Sequence, residues 1–345
     1  MEELRKPLRL FLFSHPRTAS NLSLRLLGTH PVVGDGTIPY PYILGALLGP
    51  EPVLLWNGDG MGLLRSMCGP EFAKDTFQVI MDRSQESIAK AEAAGKIPLL
   101  KDHPCFFMKP SCYVKNIPNL PARIVRPPPV IVDKKLDLPE GYVDDGDIDL
   151  PIPNPTLIPD RMFKTFVPIF AIRHPALMVP SCYRASNSPA TLTLPEWSIF
   201  YTYRWVKEVF DCYRAYYQAK GIEGIPIVFD GSATINDTEK IMEQACARIG
   251  FDPAEISYSW KPTPNLPLPP EGHPLRLVYE AFLGNIHSST GVMKEKKRLT
   301  EPVIEEEYNK WKKEFGLKHA NRIREIVEIA MADYNYLLQY AIKAE

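Results

Sequence analysis

Apolar residues in this chain fall in short unbroken runs, separated by amphipathic stretches that tend to close on glycine. Leu8 to Phe13 is one such run, and it passes through a polar loop, Ser14 to Asn21, into an amphipathic stretch ending at Gly28. An uninterrupted run of that length predicts a buried strand, the polar residues a turn and the remainder a helix. Glu71 to Ala94 carries Phe72, Phe77, Ile80, Met81, Ile88 and Ala91 at helical spacing, with a break near Asp82-Arg83-Ser84 and with Gly95 where a helix terminator stands. Lys96 to His103 predicts a short strand, Phe166 to Arg173 another, and Pro175 is placed to open the following helix. Trp197 to Ala219 reads as a long aromatic-rich helix stopped at Gly221, Pro226 to Phe229 as a strand, and Asn236 to Ile249 as a helix followed by Gly250. Glu301 to Glu345 is charged and helical, and its Ile323, Ile326, Val327, Ala330, Met331, Tyr334 and Leu337 make a core-facing stripe. This alternation predicts an α/β fold with a parallel sheet covered by helices on both faces.

One region interrupts the alternation. Cys105 to Pro168 is rich in proline and includes the acidic run Asp144-Asp145-Gly146-Asp147, so little regular structure is expected there. It is either a long surface excursion or a lid over a substrate, since long ordered loops in compact domains are often functional. Pro31 to Gly62 mixes glycine, proline and aromatic residues and predicts turns and short helices facing a pocket, while Trp260 to Pro274 reads as loop. No internal repeat is visible.

Charge and cysteine usage narrow the partners. Forty basic residues against forty-one acidic give a net charge of −1, which provides no global attraction to nucleic acid or to an anionic membrane. A small-molecule partner is expected. The chain opens on Met1-Glu2-Glu3 rather than on a basic segment, and Leu8 to Phe13 is far shorter than the ~20 residues a bilayer span needs, so a soluble cytoplasmic protein is expected. Six cysteines are too sparse for a disulfide framework, none form C-x-x-C, and the spacing of Cys105 and Cys112 fits no common zinc motif. Reduced thiols and no metal site follow. The oligomeric state is not legible.

The chemistry concentrates at three predicted strand ends. Ligands of open α/β sheets bind beyond the carboxyl ends of strands, and Ser14 to Asn21, Lys101 to His103 and Arg173 all stand there. The first helix start presents unpaired N–H groups and a partial positive charge suited to a phosphate. Arg17 adds a full charge, and Thr18, Ser20 and Asn21 add donors. The loop has neither the glycine frame nor the Lys-Ser/Thr pair of a Walker A sequence, which disfavours an ordinary ATPase. Period-two alternation puts Lys101 and His103 on one face and turns Asp102 away.

These segments resemble the sulfotransferases that use 3′-phosphoadenosine 5′-phosphosulfate (PAPS). Pro16-Arg17-Thr18-Ala19-Ser20-Asn21 is similar to the family's 5′-phosphosulfate loop, with Ala19 in place of a glycine and Asn21 in place of a hydroxyl residue. Arg173 with Ser181 eight positions later reproduces the 3′-phosphate signature, although Pro180 departs from it by removing a helical hydrogen bond. Lys101-Asp102-His103 resembles the Lys-x-His whose histidine is the catalytic base in many cytosolic members. Phe229-Asp230-Gly231 echoes an aromatic-acidic pair of the family.

The resemblance implies a single domain over residues 1–345 with a three-layer, P-loop-like parallel sheet and a Pro-rich insertion at 104–165. It implies PAPS as donor and a small hydroxyl or amine acceptor. His103, Lys101 and Arg17 become the catalytic candidates, and Arg17, Thr18, Ala19, Ser20, Asn21, Arg173 and Ser181 the donor-binding ones. Lys296, Lys297 and Arg298 lie in a run that is either a solvated face or a further contact to the 3′-phosphate. Tyr40, Tyr42, Trp56, Phe106 and Phe107 are candidates for an acceptor pocket or for the core, and His15 for reaching the pocket. Two other outcomes stay open, namely sulfation that drives elimination or cyclisation, and a related protein that binds without using the donor.

Overall fold

The computed structural model describes residues 8–53, 70, 72–117, 120, 125–142, 149–186, 201–262, 270–293 and 299–344. Five strands form one parallel sheet: β1 (Leu10–Ser14), β2 (Thr37–Pro39), β3 (Leu99–Asp102), β4 (Val167–Ile172) and β5 (Ile227–Asp230), in the order β2-β3-β1-β4-β5. Helices flank the sheet in a three-layer α/β arrangement. Strands β1, β3, β4 and β5 are buried throughout, as their continuous apolar runs require. The three-residue β2 is an addition to the expected set, and its Pro39 is tolerated because β2 is an edge strand.

The sheet is wound outward from its centre. After β1 and α1 (Ser20–Thr29) the chain fills one side with β2 and β3, then crosses to β4 and β5 on the other. The crevice at the carboxyl end of β1 is therefore a topological switch point, where such sheets bind ligands. Register pairs Ser14 with Ala171 and Phe13 with Asp102, so the residues just beyond these positions converge.

The helices follow their sequence signals with a few shifts. Gly28 lies inside α1 rather than after it, where a Cβ would come within 3.2 Å of Thr37 Cγ2, so its role is close packing. After α2 (Ile43–Leu48), α3 (Phe77–Ala93) starts at Phe77 because Thr76 Oγ1 accepts the Val79 N–H. It runs unbroken through Asp82-Arg83-Ser84, since the buried Ser84 hydroxyl donates to the Ile80 carbonyl. Regular helix between residues 104 and 165 is confined to α4 (Pro110–Asn116) and α5 (Asp160–Lys164) among the described residues. Next, α6 (Pro175–Ser186) opens on Pro175 as expected and passes through Pro180. The aromatic helix α7 (Arg204–Ala219) begins at an Arg204 N–H that Thr202 Oγ1 accepts, and residues 197–200 of the expected helix lie outside the described residues. The helix expected from Asn236 is α9 (Thr238–Ile249), closed by Gly250, and it is preceded by a short additional helix, α8 (Gly231–Asn236), which Asp230 starts by accepting the Ser232 and Ala233 N–H groups. The chain closes with α10 (Pro274–Ser288), α11 (Ile304–Phe315) and α12 (Leu317–Leu338), whose predicted stripe packs in the core.

At the amino end of β1 a proline-rich strap is fastened by charge. Arg9 holds Glu92 through Nε and Asp137 through Nη1, while Arg161 holds Asp137 and Asp133. Asp137 is fully buried between the two guanidiniums. Gln78 of α3 exchanges two hydrogen bonds with the Val132 backbone. Burial works against ionisation of Asp133, yet its bonds to Arg161 hold the carboxyl below its ordinary range.

Candidate active site

The loop between β1 and α1 is held in an unusual conformation. Arg17 and Ala19 both take positive φ, 67° and 61°, and Tyr40, across the crevice, takes 54°. Left-handed backbone at a residue with a Cβ costs roughly 1–3 kcal/mol and collects at ligand sites. Ala19 thus adopts the conformation that a glycine would take more readily. Leu22 and Ser23 are the first to donate to the Ala19 carbonyl, so the N–H groups of Ser20 and Asn21 stand ahead of the helical ladder. The Thr18 hydroxyl turns inward to the His15 carbonyl at 2.8 Å and shapes the loop. Gly231, at the head of α8, backs onto the same loop: a Cβ there would lie 2.6 Å from the Thr18 carbonyl oxygen.

Arg17 is the meeting point of the predicted donor residues. Its Nε donates to Ser181 Oγ at 3.0 Å, and its carbonyl accepts Arg173 Nη1 at 3.4 Å. Helix α10 also contributes, with the Ala281 carbonyl accepting Arg17 Nη1 at 3.2 Å. The Arg173 backbone is clamped by Tyr203, whose hydroxyl accepts its N–H and donates to its carbonyl. Cys182 and His15 both direct polar atoms at the Pro16 carbonyl. His15 is buried beside Tyr201 and Tyr203, near enough to His103 for their charges to interact.

Lys101 and His103 both lie against Tyr40. Lys101 Nζ donates to the Tyr40 hydroxyl and to Asn21 Oδ1, the latter at 2.8 Å, and sits 3.9 Å from the Tyr40 ring centre. The His103 ring is 5.4 Å from the same ring and 6.2 Å from Phe106. Asp102 turns the other way and accepts the N–H groups of Tyr42, Ile43 and His103, which anchors the start of α2. Tyr42 and Phe107 pack on each other and belong to the core, Phe107 also touching Phe11 and Phe13.

The electrostatics of this trio follow from burial. Burial lowers the Lys101 ammonium to about 7, against the raising influence of Asp102. Burial raises the Asp102 carboxyl to about 7, against the backbone N–H groups it accepts. Burial and then the Lys101 charge push His103 well below its ordinary 6.5. His103 Nδ1 is 2.8 Å from the Ser14 carbonyl, which can only accept, so Nδ1 carries the proton and Nε2 keeps the lone pair.

Tyr40 and Tyr203 carry no sequence motif; only the positive φ of one and the clamp of the other mark them. Asp230 caps α8 and accepts the Tyr334 hydroxyl at 3.2 Å. Lys296, Lys297, Arg298 and Trp56 lie outside the described residues. No group of three or more His, Cys, Asp or Glu able to hold a metal occurs among the described residues. No described helix is long and apolar enough to cross a membrane.

The chain is 28% identical to sulfotransferase ppzF of Metarhizium majus (strain ARSEF 297), over 99% of this chain and 98% of the relative. It is 27% identical to sulfotransferase ppzF of Metarhizium rileyi (strain RCEF 4871) with the same coverage. Over its whole length the chain is thus similar to sulfotransferases. No family model matches it, and no solved structure does. Arg17, Lys101 and Arg173 gather beside the start of α1 and the His103 imidazole.

Proposed function

We propose that this protein is a sulfotransferase that moves a sulfuryl group from PAPS to a hydroxyl, or an amine, of a small organic acceptor, with His103 as general base. The observation that carries the reading is the convergence of three cations from three strand ends on the α1 start, beside an imidazole whose Nε2 keeps its lone pair. The loop N–H groups of Ser20 and Asn21, with Arg17, suit the 5′-phosphosulfate, and Arg173 with Ser181 suits the 3′-phosphate. His103 takes the acceptor proton as the acceptor oxygen bonds to sulfur, and the bond from sulfur to the bridging phosphate oxygen breaks. Lys101 and Arg17 stabilise the charge left on the departing phosphate. The chemistry requires no metal.

Incubation with PAPS and a panel of phenols, alcohols and amines, followed by mass spectrometry, tests this. A sulfate ester or sulfamate supports transfer. Free sulfate with an altered, unsulfated acceptor indicates sulfation that drives elimination or cyclisation. No turnover and no donor binding would leave a sulfotransferase-like binding protein.

The pH profile has a defined shape. Because kcat/KM reports the free enzyme, its limbs follow the groups as they stand without donor. His103 is already neutral well below pH 6.5, so the acidic limb falls below that value. Lys101 loses its proton as pH rises through about 7, so kcat/KM is expected to decline on the alkaline side with an apparent pKa of about 7. Lys101→Arg keeps its charge and should lack that limb. A wild-type profile that is flat across it would contradict the assignment.

A further inference from the structure

A second cavity lies at the other end of the sheet. Its volume is about 410 Å³, and it forms where the loop 221–226 leads into β5, under the end of α7 and beside Arg248 of α9. Since β5 runs from Ile227 to Asp230, this is the entry end of the strand, and Asp230 marks the end nearer the crevice. The size falls within the range of small-molecule sites.

Its lining combines apolar walls with two guanidiniums. Phe210, Ile222, Ile225 and Pro226 supply the walls, and Arg214 and Arg248 the charge. Arg214 is fixed: Nη1 donates to the Tyr340 hydroxyl at 3.0 Å, and the guanidinium lies 5.4 Å from that ring's centre. Its Nε is buried with no hydrogen-bond partner among the described residues. Arg248 is half-buried, with its stem over Gly224 and no carboxylate against it among the described residues. Burial alone pulls its guanidinium below the ordinary range, with no acid opposing. The one carboxylate in the lining, Glu223, is exposed and pairs with neither arginine.

Arg248, half-buried with no carboxylate against it among the described residues, costs stability in the empty protein, and a bound anion offsets that cost. Guanidinium forks match a planar or tetrahedral oxyanion, and the walls match an apolar body. We propose that this pocket binds a small organic oxyanion, a carboxylate or sulfate on an apolar body, between Arg214 and Arg248. It stands apart from the crevice and does not depend on the reaction proposed there.

The test is calorimetric titration of the whole protein with 2-naphthoate and, separately, with 2-naphthyl sulfate, on wild type, Arg214→Met and Arg248→Met. Either probe should bind wild type, and each variant should weaken it at least about tenfold, the usual consequence of removing a charge-assisted bond. The probe that binds more tightly identifies the headgroup. In buffer alone Arg248→Met should melt no lower than wild type, because it removes an unpaired cation. Equal affinity in wild type and Arg248→Met, absence of binding to wild type near a millimolar, or a lower melting temperature for Arg248→Met would each overturn the proposal.

Discussion

Replacing His103 by alanine is expected to lower kcat, measured with saturating PAPS and a competent acceptor, by about 10²–10⁴, the usual worth of a positioned general base. The expectation rests on how the ring is held. The Ser14 carbonyl fixes the Nδ1 proton, burial and Lys101 keep the ring neutral, and Tyr40 and Phe106 bracket it. Donor affinity should change little, because Arg17, Arg173 and the α1 start do not bond to the ring. His103→Asn separates chemistry from packing: it retains an N–H for Ser14 but no strong base, and should be as slow as the alanine variant. A kcat within tenfold of wild type for either variant would remove His103 from the reaction.

Asp137→Asn is expected to destabilise the protein by about 3–5 kcal/mol, the cost of breaking a buried ion pair by neutralising one member. Asp137 is fully buried and bridges Arg9 to Arg161; without its charge two guanidiniums face each other across a dry gap. Glu92 and Asp133 still pair with one arginine each, which keeps the loss within that range. For a chain of this length the melting temperature should fall by about 4–7 °C. The proline-rich strap should become sensitive to protease before the sheet does. A melting temperature within a degree of wild type would show that the strap is held by its backbone bonds to Gln78 and not by charge.

Much of the sheet was legible because a buried parallel strand leaves a continuous apolar run, and four of the five strands do so. β2 was not, since three residues ending in proline carry no periodicity. Helix starts were misplaced where a side chain, and not an apolar residue, set the boundary, Thr76 for α3 and Thr202 for α7, and the short α8, started by the Asp230 cap, went unread. In the crevice, spacing placed Lys101, Asp102 and His103 on their proper faces because alternation along a strand is geometric. Arg17 and Ser181 were legible as partners of one site, but their mutual hydrogen bond was not. Tyr40 was legible only as one of several aromatic candidates, and its contact with Lys101 was not, because its place depends on a left-handed backbone that local pattern does not describe. The buried ion pairs of the strap join residues 83 and 128 positions apart, a distance over which charge patterning carries no signal.

The central claim is that the β1–α1 loop and Arg173 together hold the donor nucleotide. Thermal unfolding of wild type and Arg173→Ala, each with and without 3′-phosphoadenosine 5′-phosphate, tests it most directly. A ligand that binds only the folded state, at a hundred times its Kd, adds about 2.7 kcal/mol, or about 4 °C for this chain. A shift of that size in wild type that is lost in Arg173→Ala is the predicted result. No shift in wild type near a millimolar, or an equal shift in both proteins, would contradict it.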